Sequence, residues 1–157
     1  MSKRRYQSTK RFENFSIALR QHKATHSHCQ LLHGYALEFK VWFASIEEVE
    51  EEQLDEMNWI VDYGLFGRNG LKKWLNEKFD HTLIVEIDDP QLESFTMLEE
   101  LGLAKLTVVR KIGAESLAKQ VFEKFNKTFA NTEGGRVKVT KVECFENKNN
   151  SSIYEEI

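Results

Sequence analysis

Hydrophobic and polar residues alternate from Leu31 to Phe43. Leu31, His33, Tyr35, Leu37, Phe39, Val41 and Phe43 fall on one side, and Glu38, Lys40 and Trp42 on the other. A period of two over that length predicts a strand with one buried face. Phe15, Ile17 and Leu19 alternate in the same way, so residues 11–19 (RFENFSIAL) read as an antiparallel partner, with a connecting loop between the two. Residues 58–63 (NWIVDY) are short, apolar and β-branched, and read as a third strand. The period then changes. Leu71, Trp74, Leu75 and Phe79 lie on one helical stripe, and a second helix is expected over 88–102, with Asp89 as N-cap, Pro90 at the first helical position and Gly102 as the stop. A short strand at 106–110 (LTVVR) precedes a helix over 115–129, whose apolar stripe is Leu117, Ala118, Val121, Phe122, Phe125 and Phe129. The last strand, 136–146, changes its alternation phase between Val139 and Val142, which marks a bulge. The order β-β-β-α-α-β-α-β, without repeats or long linkers, predicts an α+β domain: an antiparallel sheet with helices on one face.

Composition narrows the picture. At 157 residues the chain suits a single domain over 1–157, with the basic segment 1–11 (MSKRRYQSTKR) as a flexible leader. A net charge of −3 argues against a general phosphate-backbone binder, so no nucleic-acid partner is expected. The chain has no run of eighteen apolar residues, so no membrane span is expected. Without a secretory leader, Cys29 and Cys144 read as free thiols in the cytoplasm. The acidic run 46–56 (IEEVEEEQLDE) reads as a solvated turn or short exposed helix.

Candidate chemistry concentrates in 25–35 (THSHCQLLHGY), where His26, His28 and His33 surround Cys29. Three imidazoles and an open position make a catalytic zinc arrangement, but the spacing also suits loop histidines that donate hydrogen bonds to an acidic ligand. A cysteine beside a histidine has a neighbour able to stabilise a thiolate. Asp80 followed by His81 fits an orienting carboxylate and a proton-relaying imidazole, or equally a helix-capping aspartate and a surface histidine. Glu146 shares a face with Val142 and Cys144, an odd place for a carboxylate without a partner. Arg20 reads as a surface salt bridge or as a partner for a substrate anion.

Five segments, CQLLHGY (29–35), NWIVDY (58–63), FDHTLIV (79–85), IGAESLAK (112–119) and VECFENKNNSSIY (142–154), stand in the order and spacing of signature segments of a known family. The chain resembles the 6-pyruvoyltetrahydropterin and 6-carboxytetrahydropterin synthases from about Phe15 to Tyr154. That resemblance implies the tunnelling fold, in which the sheets of several subunits join into a barrel, and a homo-oligomer, most often a hexamer of two trimers with active sites at subunit interfaces. It implies a lyase acting on 7,8-dihydroneopterin triphosphate or a close relative, with 6-carboxytetrahydropterin, acetaldehyde and triphosphate as the favoured products (the deazapurine, queuosine, branch) and loss of triphosphate alone as the other (the biopterin branch). Cys29, Asp80 and His81 match the catalytic positions, Glu146, eight residues before Tyr154, matches the pterin anchor, and Glu115 is what remains of a further substrate-binding segment. The implied zinc site departs from the family pattern. Leu19 and Tyr35 occupy two of its three histidine positions and only His33 remains, so zinc would require His26 and His28 to rebuild a site with His33, with His22 nearby. A metal-free reaction like that of dihydroneopterin aldolase, and a pterin- or purine-binding protein without catalysis, are the alternatives.

Overall fold

The computed structural model describes residues 2–157, so Met1, the first residue of the expected leader, lies outside the described residues. The two long strands form where the alternation places them. β1 (Ser8–Leu19) and β2 (His33–Ser45) pair antiparallel, with Ile17 opposite Tyr35 and Leu19 opposite His33. Phe12 and Phe15 stand three apart, which in an even strand would send them to opposite faces, yet both are buried. The register shifts between them and Asn14 takes a left-handed φ of 67°, the bulge that returns Phe15 to the core side. The strand therefore starts earlier than expected and takes residues 8–11 from the supposed flexible leader. Ahead of it, the buried side chain of Gln53 accepts from the Tyr6 N–H at 2.9 Å and donates to the Arg4 carbonyl at 3.3 Å.

The chain continues through α1 (Leu65–Arg68), α2 (Leu71–Phe79), β3 (Thr82–Glu86), α3 (Leu92–Glu100), β4 (Leu106–Val109), α4 (Ala114–Asn131), β5 (Val137–Phe145) and β6 (Ser151–Glu155). The sheet order is β4-β3-β1-β2-β5-β6. β1, β2 and β5 pair antiparallel as expected, β6 adds an antiparallel edge strand that was not expected, and β3 and the expected strand β4 extend the sheet in parallel from β1. The α+β class stands, and the sheet is mixed.

Three expectations need correction. Residues 58–63 form no strand: Asp55 Oδ1 accepts from the Met57 and Trp59 N–H groups, Asn58 adopts a φ of 65°, and the Ile60 carbonyl goes to Arg136 Nη2 at 2.6 Å. Ile60 and Val61 are buried all the same, so the apolar signal was burial and not pairing. The strand next in sequence is β3, in which all five residues are buried, because Ile84 enters the main core while Leu83 and Val85 pack with Phe95 of α3 on the other face. Helices therefore cover both faces at that edge. Finally, α3 begins at Leu92. Asp89 accepts from the Gln91 N–H at 2.8 Å but caps no helix, its carboxylate being taken by Arg20.

The bulge in the last strand is as predicted. Trp42 pairs with Lys141 and Phe43 with Val139, leaving Thr140 as the extra residue. The main core lies between the sheet and α1, α2 and α4, and its centre is aromatic: Phe12, Phe43, Phe66 and Phe129 all surround Phe125 at centroid distances of 5.6–6.5 Å. The acidic run keeps Glu50–Glu52 as an exposed 3-10 turn, as expected. Among the described residues, no helix is long and apolar enough to cross a membrane.

Phe125 is fully buried. Truncating it to alanine removes an aromatic ring from a cluster that cannot collapse around the void, a cost of about 3–5 kcal/mol. Urea unfolding of Phe125→Ala should show that loss; a midpoint shift worth under about 1 kcal/mol would show that the aromatic centre is loosely packed.

Candidate functional site

The start of β2 and the end of β5 border a cleft of about 650 Å³ whose lining includes Arg11, Gly34, Tyr35, Glu38, Glu146 and Lys148. Register builds it. Tyr35 and His33 stand on one face of β2, and Gly34 between them allows β1 to approach, since a Cβ there would meet the Ile17 carbonyl at 3.2 Å. Glu146 is half-buried just beyond β5, where its N–H bonds to the Asn150 carbonyl at 3.1 Å and closes the turn into β6. Burial raises the Tyr35 hydroxyl above the ordinary tyrosine pKa, and the Glu146 carboxylate adds to the effect. Burial likewise drives the Cys144 thiol far up, with Glu146 and Glu115 adding to the effect. Glu115 itself is exposed in the first turn of α4. Tyr35 and Glu146 thus face one cleft at the β2 start and β5 end, and neither Glu115 nor Cys29 is among its lining residues. Arg11 and Glu38, which bond each other across β1 and β2, also line this cleft. Sequence inspection overlooked them because they are outward-facing charges that only the strand register brings to the site.

Cys29 is exposed in a 3-10 turn, His28–Gln30, capped by the Ser27 hydroxyl. Asp80 follows α2, and His81 turns away from it with a left-handed φ of 55°. The His81 Nδ1 lies 3.1 Å from Asp80 Oδ2, and Asp80 Oδ1 accepts from the Ser16 N–H at 3.0 Å. The orienting pair predicted from sequence is therefore formed, with His81 exposed. Among the described residues, no hydrogen bond joins Cys29 to Asp80 or His81 within the chain.

The donor set at the family's zinc position does not fit zinc. Leu19 is buried and aliphatic. His33 Nδ1 lies 2.7 Å from the Leu31 carbonyl, which can only accept, so Nδ1 carries the proton and Nε2 accepts from the Tyr35 hydroxyl at 3.2 Å. One imidazole, already engaged, a phenol and an aliphatic group are not a three-nitrogen platform. Nor does the loop rebuild one, since His26 and His28 are exposed and do not join His33 in a set of ligand atoms within 4.8 Å. Among the described residues such a set is formed by His22, Glu86 and Asp88. Arg20, in turn, makes a two-pronged bridge to the buried Asp89 carboxylate, at 2.9 Å from Nε and 2.8 Å from Nη2. A second cavity, of about 640 Å³ beside Trp59 and Tyr63, is lined by none of the predicted site residues.

Residues 8–157 match the sequence profile of the family described as 6-pyruvoyl tetrahydropterin synthase. A 6-carboxy-5,6,7,8-tetrahydropterin synthase of Rickettsia bellii is 29% identical over 125 residues, 77% of this chain and 80% of that protein. The protein of the same name from Rickettsia felis is 33% identical over 64 residues, so the chain spans only 41% of that relative's length. Among solved structures, an uncharacterized protein of Wolinella succinogenes superposes with a TM-score of 0.76 at 22% identity, covering 98% of this chain and 99% of that one. A Caenorhabditis elegans 6-pyruvoyl tetrahydropterin synthase superposes with a TM-score of 0.60 at 18% identity, covering 98% and 97%. At such identities the superpositions establish the fold, and the tunnelling-fold subunit expected from the sequence is the one observed.

The Ser16 N–H first, and His81 second, hold the Asp80 carboxyl below the usual carboxylate range. A depressed folded value means that the stability Asp80 lends is complete above about pH 4 and is lost as pH falls through the folded value. Asp80→Asn should therefore lose less stability than the parent between about pH 5 and pH 2, followed by urea midpoints at stepped pH. Superimposable acid limbs would show that the two hydrogen bonds contribute nothing.

Proposed function

Because the chain belongs to the 6-pyruvoyl tetrahydropterin synthase family, we propose that it is a tetrahydropterin synthase-type lyase that converts 7,8-dihydroneopterin triphosphate to 6-carboxytetrahydropterin with release of acetaldehyde and triphosphate. The product is taken from the names of the curated relatives. The observation that carries the reading is that Glu146 and Tyr35 stand together in the lining of one cleft. A carboxylate offers two acceptor oxygens in one plane, the complement of the paired N–H donors along a pterin's amidine edge. Glu146 is the anchor in this reading and Glu115 an accessory acceptor. Asp80 fixes the His81 ring through Nδ1, which leaves Nε2 to take and return a proton at the substrate's side chain, and the Cys29 thiol handles the second proton. No step passes through a metal at His33.

Among the described residues no hydrogen bond joins Cys29 to the Asp80–His81 pair, so the reading has them meet across a subunit boundary in a cytoplasmic homo-oligomer, a hexamer of two trimers. The open edges of β4 and β6 are the surfaces through which sheets would join. A second reading, a pterin- or purine-binding protein without turnover, draws support from Leu19 and Tyr35 at the metal position. Catalysis by Cys29 and His81 separates the two.

Glu146→Gln keeps the size of the side chain but turns a donor toward the ligand's own N–H groups. Neopterin affinity should fall by about 2–4 kcal/mol in a calorimetric titration, and unchanged binding would place the anchor elsewhere.

The two halves of the catalytic set provide a further test. Cys29→Ala and His81→Ala should each abolish turnover of dihydroneopterin triphosphate while still binding neopterin. When equal amounts of the two inactive proteins are unfolded together and reassembled, about a quarter of all the boundary sites should pair an intact Cys29 with an intact His81, and activity should return to about that fraction of the parent's. No recovery would mean that the groups act within one subunit or not at all.

A further inference from the structure

The segments that leave the parallel strands β1 and β3 bring an imidazole and two carboxylates to one point. His22 comes three residues after β1, while Glu86 ends β3 and Asp88 follows two residues later. The side chains of His22 and Glu86 are only 9% and 6% exposed, whereas Asp88 is 55% exposed and leaves the group open to solvent on one side. His22 Nε2 stands 3.4 Å from Glu86 Oε1 and 3.3 Å from Asp88 Oδ1. A charge-assisted bond closes to about 2.8 Å, so both distances are those of a weak, shared contact. The buried ring is therefore aimed between the carboxylates, bonded well to neither. A spacing of about 3.3 Å is the edge of a tetrahedron whose corners lie about 2.0–2.1 Å from its centre, the length of zinc bonds to imidazole and carboxylate. Calcium, with ligands at about 2.3–2.6 Å, calls for a wider and more oxygen-rich set.

Outer partners already hold these ligands in place. The Ile112 N–H donates to Glu86 Oε2 at 2.8 Å, which leaves Oε1 for the centre. Arg20 grips Asp89, the neighbour of Asp88, and reaches the Gln30 carbonyl at 3.3 Å, tying the loop that carries His22 to the one that carries Asp88. A cation already rests on the two carboxylates: Lys23 Nζ is 3.2 Å from Glu86 Oε1 and 3.0 Å from Asp88 Oδ2. Its side chain is 63% exposed and has room to swing into solvent.

We propose that His22, Glu86 and Asp88 form a binding site for a divalent transition-metal ion of the zinc class, with solvent completing the coordination and Lys23 as the internal cation that the metal displaces. One nitrogen and two oxygen donors suit such an ion, and its ligation would fasten the ends of β1 and β3 together. None of the three ligands belongs to the pterin-binding set, so the site stands or falls separately from the lyase reading.

The test uses the whole chain, freed of any affinity tag and stripped with a chelator, then titrated with Zn²⁺ by calorimetry and by metal analysis after gel filtration. One ion per chain should bind and raise Tm. Asp88→Asn and His22→Ala should each weaken binding by about tenfold or more, at least the cost of losing an outer-shell partner. Lys23→Met should tighten binding, because the competing ammonium is gone, and the double variant His26→Ala/His28→Ala should bind as the parent does. The proposal is overturned if the parent takes up no Zn²⁺ at micromolar concentrations, if Asp88→Asn binds unchanged, if Lys23→Met binds more weakly, or if Cys29→Ala or His33→Ala is what removes the ion. Should His22→Ala fail to fold by circular dichroism, the exposed positions Asp88 and Lys23 decide the matter.

Discussion

Two phenylalanines three residues apart, Phe12 and Phe15, both reach the core, and the device that allows it sets the register of the central strand pair. Side chains alternate with a period of two, so a slip of one residue between β1 and β2 would turn Leu37, Phe39, Val41 and Phe43 toward solvent. The bulge at Asn14 absorbs the odd spacing and keeps the pairing in phase from Ile17–Tyr35 to Leu19–His33. Everything chemical is hung from that end of the pair. The loop between the strands carries His22 and Cys29, the β2 start presents His33 and Tyr35, and β3, the parallel neighbour of β1, delivers Glu86 and Asp88.

What could be read in the sequence follows from which constraints are local. β1, β2, α2, α4 and the Thr140 bulge were legible because each has one buried face, and a single buried face leaves a period. β3 escaped notice as a strand because it is buried on both faces and leaves no period; a run such as TLIVE is equally a piece of buried helix. The opposite error fell on 58–63, whose apolar residues are buried by a loop that Asp55 and Arg136 hold together. Asp89 misled for a related reason. An aspartate before a proline has the local look of an N-cap, but a guanidinium sixty-nine positions away takes its carboxylate.

At the site, the contiguous motifs were readable and the assembled groups were not. Asp80 and His81 are adjacent in sequence and meet in space, as expected of neighbours. The crowding of His26, His28 and His33 suggested a ligand set, but a loop that leaves a strand turns its residues in diverging directions. His33 is fixed by the strand, with both ring nitrogens engaged, while His26 and His28 face solvent. The imidazole that meets two carboxylates distant in sequence is His22, whose partners lie more than sixty residues away. No spacing rule reaches that far; only the parallel pairing of β1 with β3 does.

The exchange of two histidines for Leu19 and Tyr35 changes the polarity of the cleft as well as its donor count. Three imidazoles with their lone pairs turned inward would gather a cation, and with it any anionic oxygen of a ligand. Here the only imidazole accepts the Tyr35 hydrogen, so the Tyr35 oxygen shows the cleft its lone pairs alone, beside the acceptor oxygens of Glu146. Ionising Tyr35 would place a charge in a partly buried position near the Glu146 carboxylate, and both burial and that charge push its pKa up. This end of the cleft therefore suits an edge rich in N–H donors and repels an anion. A ligand's anionic tail has to find positive charge elsewhere, and Arg11 is not available for it, being bonded to Glu38 and laid over the Phe145 ring. Lys148, beyond Glu146 on the turn into β6, is the lining cation that forms no ion pair among the described residues.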